Sequence, residues 1–266
     1  MDAERKIVMN RKDYLALWQK EEQTPFVGWD FSYLEARMTE EQPPWSYSTR
    51  AVEVLRGVAS VLDMGTGGGE RFLKLREHWP AKVAVTEEYP PNVRLATERL
   101  SPLGVRVEVV ELTRDGKLPF DDAEFDVVLN RHSGFNPAEV ARILKPGGTF
   151  LTQQIDGRWG HDLMAVFGAT PQWPDETLAN CVAWIEDVGL TIATAEDWTG
   201  RFTFTDVGAI VYYLKAVPWI VPGFSVMTHL DGLLALQARL EKEAGQPGVA
   251  LSFTAKKFFI EARKPA

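Results

Sequence analysis

Apolar residues in this chain recur at two periods, and the places where the period changes divide it into elements. Short apolar runs at 59–64, 82–87, 105–111, 126–130 and 149–155 read as buried strands. Between them, 70–79, 90–101 and 137–144 carry apolar residues at helical spacing, as in Phe72, Leu73, Leu75 and Trp79. Such alternation predicts a parallel sheet with helices on both faces, and a ligand at the carboxyl ends of its strands. Upstream, Arg11 to Glu21 reads as a short amphipathic helix, and Ser48 as the cap of a helix running through Gly57. Thr24 to Tyr47 is dense in aromatics (Phe26, Trp29, Phe31, Tyr33, Trp45, Tyr47) and is expected to form a lid or pocket wall. Downstream come a helix at Asp175 to Val188, a sixth strand at Leu190 to Trp198 and a seventh at Leu251 to Arg263. The stretch separating these last two is too long for a simple connection. It holds the apolar segment Phe204 to Trp219 and a helix at Ser225 to Ala244.

The first strand hands over to its helix through Val61-Leu-Asp-Met-Gly-Thr-Gly-Gly-Gly-Glu70. Glycines at 65, 67 and 69 allow backbone angles and a close ligand approach that a Cβ forbids. The spacing is G-x-G-x-G with Asp63 just before it; a dinucleotide turn would want glycine where Glu70 stands. A glycine turn alone occurs in many α/β proteins. Three further segments follow in order: Lys82-Val-Ala-Val-Thr-Glu87, Leu118-Pro-Phe-Asp-Asp-Ala-Glu-Phe-Asp-Val-Val-Leu-Asn130, and Glu139-Val-Ala-Arg-Ile-Leu-Lys-Pro-Gly-Gly-Thr-Phe-Leu151.

Together these segments resemble the class I S-adenosylmethionine-dependent methyltransferases, over roughly residues 50 to 155. The resemblance implies a Rossmann-like fold with a mostly parallel seven-stranded sheet, helices on both faces and an antiparallel last strand. It implies a methyltransferase domain over 48–266, with residues 1–47 as an N-terminal helical lid and 199–250 as a helical, substrate-binding insertion. The implied cofactor is S-adenosyl-L-methionine, with Asp63, Gly65, Thr66, Gly67, Gly69, Glu87, Glu88, Leu112, Thr113, Asn130 and Arg131 around it. Glu87 would take the ribose hydroxyls, and the amides of the glycine turn the methionine carboxylate. The adenine would sit against Leu112 and Thr113; because the 113–117 connection is longer than usual, Asp115 could serve instead of Glu111.

Composition narrows the partner. A net charge of −8 and no run of Lys and Arg would repel a phosphate backbone. DNA is therefore not expected, while RNA stays open. Hydrophobic residues make up 45%, ample for a core. The single cysteine, Cys181, reads as a core thiol and cannot join a multi-cysteine metal site, so no metal is expected. The charged first residues lead into no apolar stretch, and Lys215, Pro218 and Pro222 interrupt the most apolar segment, 208–224. A cytoplasmic protein without a membrane span is expected, its oligomeric state open.

Methyl transfer from a sulfonium needs a nucleophile held in line and water kept away. After the 126–130 strand comes Asn130-Arg-His-Ser-Gly-Phe135, where this fold places residues beside the methyl group. The D/N-P-P-Y/F/W motif of adenine methylation is absent. His132 is a candidate general base, or else a hydrogen-bonding residue only; Arg131 could meet an acidic substrate or a surface carboxylate. His161 and His229 read as polar surface or cap residues. Trp45, Tyr47, Tyr212 and Trp219 are candidate substrate-lining residues, the last two read first as core. The substrate is expected between the aromatic N-terminal segment and the insertion, with His132 at the floor. Three functions compete: methylation of a small, apolar or aromatic molecule; methylation of RNA or protein; and non-catalytic binding of S-adenosylmethionine or NAD.

Overall fold

The computed structural model describes residues 9–26, 30–111, 113, 115–242 and 248–266. They form two compact units. One comprises 43–157, 173–199 and 256–266; the other comprises residues up to 42, 158–172 and 200–255.

The first unit is the α/β body. In chain order it contains α2 (Tyr47–Val54), β2 (Ser60–Met64), α3 (Glu70–Leu73), β3 (Lys82–Glu87), α4 (Pro90–Leu100) and β4 (Arg106–Val109). There follow β5 (Phe125–Arg131), α5 (Pro137–Ile143), β6 (Leu144–Ile155) and α7 (Leu178–Asp187). It also takes most of β7 (Thr191–Phe204) and the end of β8 (Leu251–Arg263), strands that contribute residues to both units. Its strand order is β7-β8-β6-β5-β2-β3-β4. The neighbours from β6 through β4 are parallel, and β8 is antiparallel to β6. β2 lies in the middle, so Met64 pairs with Thr86 on one side and Asn130 on the other. The order therefore reverses at β2, and the carboxyl ends of three strands bring the glycine turn, Glu87 and Asn130 to one place.

Strand side chains alternate between faces, and the core follows that alternation. Leu62, Met64, Val128 and Phe150 pack with Val140, Ile143, Cys181 and Ile185. On the other face, Val61, Val85, Val127, Leu129 and Leu151 pack with Ala51, Leu55, Ala96 and Leu100. Each buried Leu, Ile, Val or Phe contributes about 1.5–3 kcal/mol. The irregular stretch before β5 is held by Arg142 and Glu139. Arg142 bonds Glu139, Asp122 and the carbonyls of Leu118 and Phe120, while Glu139 accepts the Leu118 N–H at 2.8 Å. These bonds hold the Glu139 carboxyl below its ordinary range, the Arg142 bond first, against the opposing effect of burial.

The second unit is built on α1 (Arg11–Gln23), β1 (Met38–Glu40), α6 (His161–Val166), α8 (Val207–Ala216) and α9 (Leu230–Lys242). α8 is buried along nearly its whole length, as expected of a helix apolar all round, and α1 packs against it. Asp206 caps α8 by accepting the Ala209 N–H at 2.8 Å and also binds Arg37, which reaches Glu21 as well. Burial pushes the Asp206 carboxyl up, but Arg37 and the cap hold it below its usual value. Aromatic contacts join the N-terminal segment to α8: Tyr33 and Phe26 on Tyr212, Phe31 on Tyr213. No helix among the described residues is long and apolar enough to cross a membrane.

Several expected boundaries move for local reasons. The predicted 70–79 helix ends at Leu73 and resumes only as a 3-10 turn at 76–78, because i→i−3 bonds take over at Lys74 and Leu75. The cap before α2 is Ser46, whose hydroxyl accepts the Thr49 N–H; Ser48 lies inside the helix, which stops at Val54. The helix predicted from Asp175 begins after the Thr177 cap. The fifth predicted strand begins five residues early, since Leu144 pairs with Phe125 and Gly147 and Gly148 bond Lys264. The helix predicted from Ser225 begins at Leu230, after a turn closed by Ser225, Thr228 and His229. An unforeseen strand, β1, pairs antiparallel with Phe202–Phe204, making eight strands rather than seven. Trp29 and Leu112 lie outside the described residues.

Candidate functional site at the carboxyl ends of the strands

Gly67 and Gly69 both take positive φ, +64° and +83°, the left-handed region that a side chain disfavours. A Cβ on Gly69 would also come within 2.9 Å of Leu100, whereas one on Gly67 would meet nothing within 4 Å. The space in front of Gly67 is therefore open, a cradle that a larger residue would fill. Arg99, from α4, fastens the turn by donating to the Gly68 carbonyl and pairing with Glu70.

Glu87 ends β3 with only 6% of its surface exposed. Its Oε2 accepts the Gly67 N–H at 2.6 Å, and its Oε1 accepts the N–H groups of Glu88 and Tyr89 at 3.1 and 3.0 Å. Three backbone donors fix the carboxylate beside the glycine turn; Oε1 is filled by two of them, and Oε2 retains lone-pair capacity for a hydroxyl. Glu88 is exposed, as is Thr113, whose hydroxyl donates to Asp115.

Asp63, partly buried at the end of β2, has its carboxyl pushed up to about 7 by burial, against the opposing pull of Thr66, Arg131 and Arg71. Tyr47 is raised by burial and by the Asp63 charge. Asn130, fully buried, accepts from Thr152 Oγ1 at 2.8 Å and from Gln154 Nε2, and its own Nδ2 has no acceptor. A buried donor without a partner beside an open turn is the kind of defect a ligand repairs.

His132 follows β5 with φ +57°, unusual for a residue with a side chain. Its N–H donates to the Gln153 carbonyl at 2.9 Å, and its ring Nε2 lies 2.9 Å from Gln153 Nε2. The ring is exposed, yet surrounding protein and then the charges of Arg131, Lys257 and Arg71 hold its pKa well below the ordinary histidine value.

The first unit thus gathers Asp63, the glycine turn, Glu87, Asn130, Arg131, His132 and Tyr47. Trp45 reaches them indirectly: it packs on Phe259, and its indole N–H donates to Gln153 Oε1 at 2.9 Å. Tyr212 and Trp219 belong to the second unit, Tyr212 buried against Phe26 and Tyr33 and Trp219 in a turn after α8. Of the other histidines, His161 opens α6, and His229 lies in the turn before α9 stacked on Phe224. Sequence reasoning missed Thr152, Gln153 and Gln154. Their signal was three consecutive polar residues inside a strand expected to be buried, where apolar side chains are the rule.

Residues 61–148 match the family described as "Methyltransferase domain". A demethylmenaquinone methyltransferase of Thermus thermophilus is 29% identical over 103 residues, 36% of this chain and 46% of that protein. A phthiotriol/phenolphthiotriol dimycocerosates methyltransferase of Mycobacterium tuberculosis is 34% identical over 115 residues, 39% of this chain and 40% of that protein. The matched region thus spans less than half the length of these curated relatives. Among solved structures, a functionally unknown protein from Deinococcus radiodurans superposes with a TM-score of 0.58 at 14% identity, covering 95% of this chain and 98% of that one. The YcgJ protein from Bacillus subtilis superposes at 0.53 and 18% identity, covering 83% and 98%. Ordered motifs, a sheet that reverses at the glycine turn and the matched segment agree: residues 61–148 carry a methyltransferase domain.

Proposed function

We propose that this protein transfers a methyl group from S-adenosylmethionine to a small-molecule acceptor, apolar or aromatic in character. The observation that carries the reading is the Glu87 carboxylate held by the Gly67 N–H beside an open glycine turn, next to the unsatisfied Asn130 amide. Bound there, the cofactor would supply an electrophilic methyl group on a sulfonium. Glu87 would accept from ribose hydroxyls, and the remaining polar groups of the turn and of Asn130 would fix the rest of the molecule. An acceptor lone pair would then form a bond to the methyl carbon while the C–S electrons pass to sulfur; a neutral acceptor would release its proton to water.

The small-molecule preference draws on the acidic net charge and on the names of the two relatives, which describe quinone and lipid methyltransferases. Methylation of RNA or protein is the second reading, supported by the fold alone. In calorimetry, S-adenosylhomocysteine should bind and NAD should not; the reverse result rejects the cofactor assignment. Incubation with S-adenosylmethionine and a panel of phenols, hydroxyquinones and carboxylic acids should yield methylated product. Turnover on RNA, with a mobility shift at moderate salt and none on the panel, would replace the small-molecule reading with the second one.

A further inference from the structure

Trp45, Gln153 and His132 form a chain of hydrogen bonds whose direction is fixed by the chemistry of its ends. An indole N–H can only donate, so Gln153 offers its Oε1 to Trp45 at 2.9 Å. The amide nitrogen then faces His132 Nε2 at 2.9 Å, and an amide NH₂ can only donate. Nε2 must therefore accept, and the neutral ring carries its proton on Nδ1. The backbone reinforces this pose, since the His132 N–H bonds the carbonyl of the same Gln153 and holds the residue at positive φ. Packing of Trp45 on Phe259 anchors the far end.

In this arrangement the ring is badly placed to remove a proton. The lone pair that would receive it is engaged by Gln153, and the other nitrogen is already protonated. Arg131, Lys257 and Arg71 add positive charge around the ring, in a chain whose net charge is −8. Neutral histidine and three cations suit a negatively charged oxygen. We propose that His132 is a fixed Nδ1–H donor to an anionic oxygen of the methyl acceptor, such as a phenolate, enolate or carboxylate, and that Trp45 and Gln153 are the positioning residues that set its tautomer. This deepens, and rests on, the methyltransferase reading above. The acceptor loses its proton to solvent on binding, its lone pair attacks the methyl carbon, the C–S pair goes to sulfur, and no proton reaches His132 in that step.

The test is long-range ¹H–¹⁵N NMR on the full chain labelled at histidine, followed between about pH 5 and 8. The parent should show His132 protonated at Nδ1 and bare at Nε2 throughout. Trp45→Phe frees the amide and should give a mixture of tautomers. Gln153→Glu places a carboxylate opposite Nε2 and should move the proton there and raise the ring's pKa. A parent ring protonated at Nε2, or titrating within that range, overturns the proposal; so does an Nδ1–H tautomer unchanged in both folded variants. Benzoate or 4-nitrophenolate, added with S-adenosylhomocysteine, should move the Nδ1 proton downfield. No movement with either probe overturns the anionic-oxygen assignment. The same movement with S-adenosylhomocysteine alone assigns the oxygen to the cofactor carboxylate and overturns the acceptor assignment. Calorimetric failure to bind S-adenosylhomocysteine would instead sink the methyltransferase reading, leaving the tautomer result standing.

Discussion

The two ends of the parallel strands use polar residues in opposite ways. At their amino ends, Asp126 accepts from the Ala59 N–H, Ser60 and Lys145, and Glu124 from Lys82. Burial alone would push both carboxyls up, but these partners hold Asp126 and Glu124 below their ordinary range. At the carboxyl ends, Asp63 is pushed up to about 7, His132 is held down at a positive φ, and the Asn130 amide has no acceptor. One end is closed by satisfied bonds. The other tolerates strain and unmet bonding capacity, which is the mark of a surface shaped for something other than folding.

Substitutions at the carboxyl ends should then cost binding, and those at the amino ends should cost stability. The largest effect is expected at Gly67, where a side chain both meets the disfavoured φ and fills the open space before the turn. Gly67→Val should weaken S-adenosylhomocysteine binding at least about 100-fold in calorimetry and lower folding stability by only about 1–2 kcal/mol. Comparable affinity in the variant would mean that ligand does not approach this turn. Next is Glu87→Gln, which removes the charge and sets an amide against three backbone donors; affinity should fall by about 1.5–3 kcal/mol. Asp126→Asn is the converse case. It should cost about 1–2 kcal/mol of stability in urea denaturation while leaving cofactor affinity unchanged, and a matching loss of affinity would erase the distinction between the ends.

The pH dependence sharpens the same contrast. Asp126 and Glu124 have depressed native pKa values, so their contribution is present above the ordinary carboxylate range and is lost as pH falls through their folded values. Asp63 has the opposite sign: its folded pKa of about 7 exceeds the unfolded one, so its ionisation withdraws stability as pH rises through the interval between them. Asp63→Asn should therefore melt above the parent at about pH 8 and show no such advantage near pH 4. A constant difference across that span would show that Asp63 ionises freely in the fold. The smallest effect is expected at Arg99, whose pairing with Glu70 is solvent-exposed and whose bond to the Gly68 carbonyl is partly buried. Arg99→Ala should change cofactor affinity by about threefold or less, within the roughly 0–1 kcal/mol of surface pairs.

The α/β body was readable because two signals coincide there: the period of apolar residues changes at each boundary, and the glycine turn falls where the strand order reverses. Glu87 and Asn130 were legible as strand ends for the same reason. Gln153 was not, because its importance lies in a directed bond between residues 45 and 132, a relation that no local spacing encodes. Ser48 was preferred to Ser46 because both can cap and only backbone geometry decides between them. β1 went unseen because three residues carry too little pattern; its pairing with Phe202–Phe204 defines it. The aromatic N-terminal segment was visible as composition, but its partners on α8 are nearly two hundred residues away in sequence, beyond any periodic signal.

The clasp made by Arg142 has a consequence for how such chains diverge. Two of its partners are carbonyl oxygens, at Leu118 and Phe120, and every residue type presents the same carbonyl. No exchange of side chain at 118 or 120 can therefore compensate for losing Arg142, whereas a partner such as Asp122 could change in step with it. Among homologues, position 142 should stay fixed together with Glu139 yet show no correlated change with the segment it restrains. This tether would thus leave no trace in coevolution, and a lysine there, lacking the planar fork, would release the segment rather than replace its anchor.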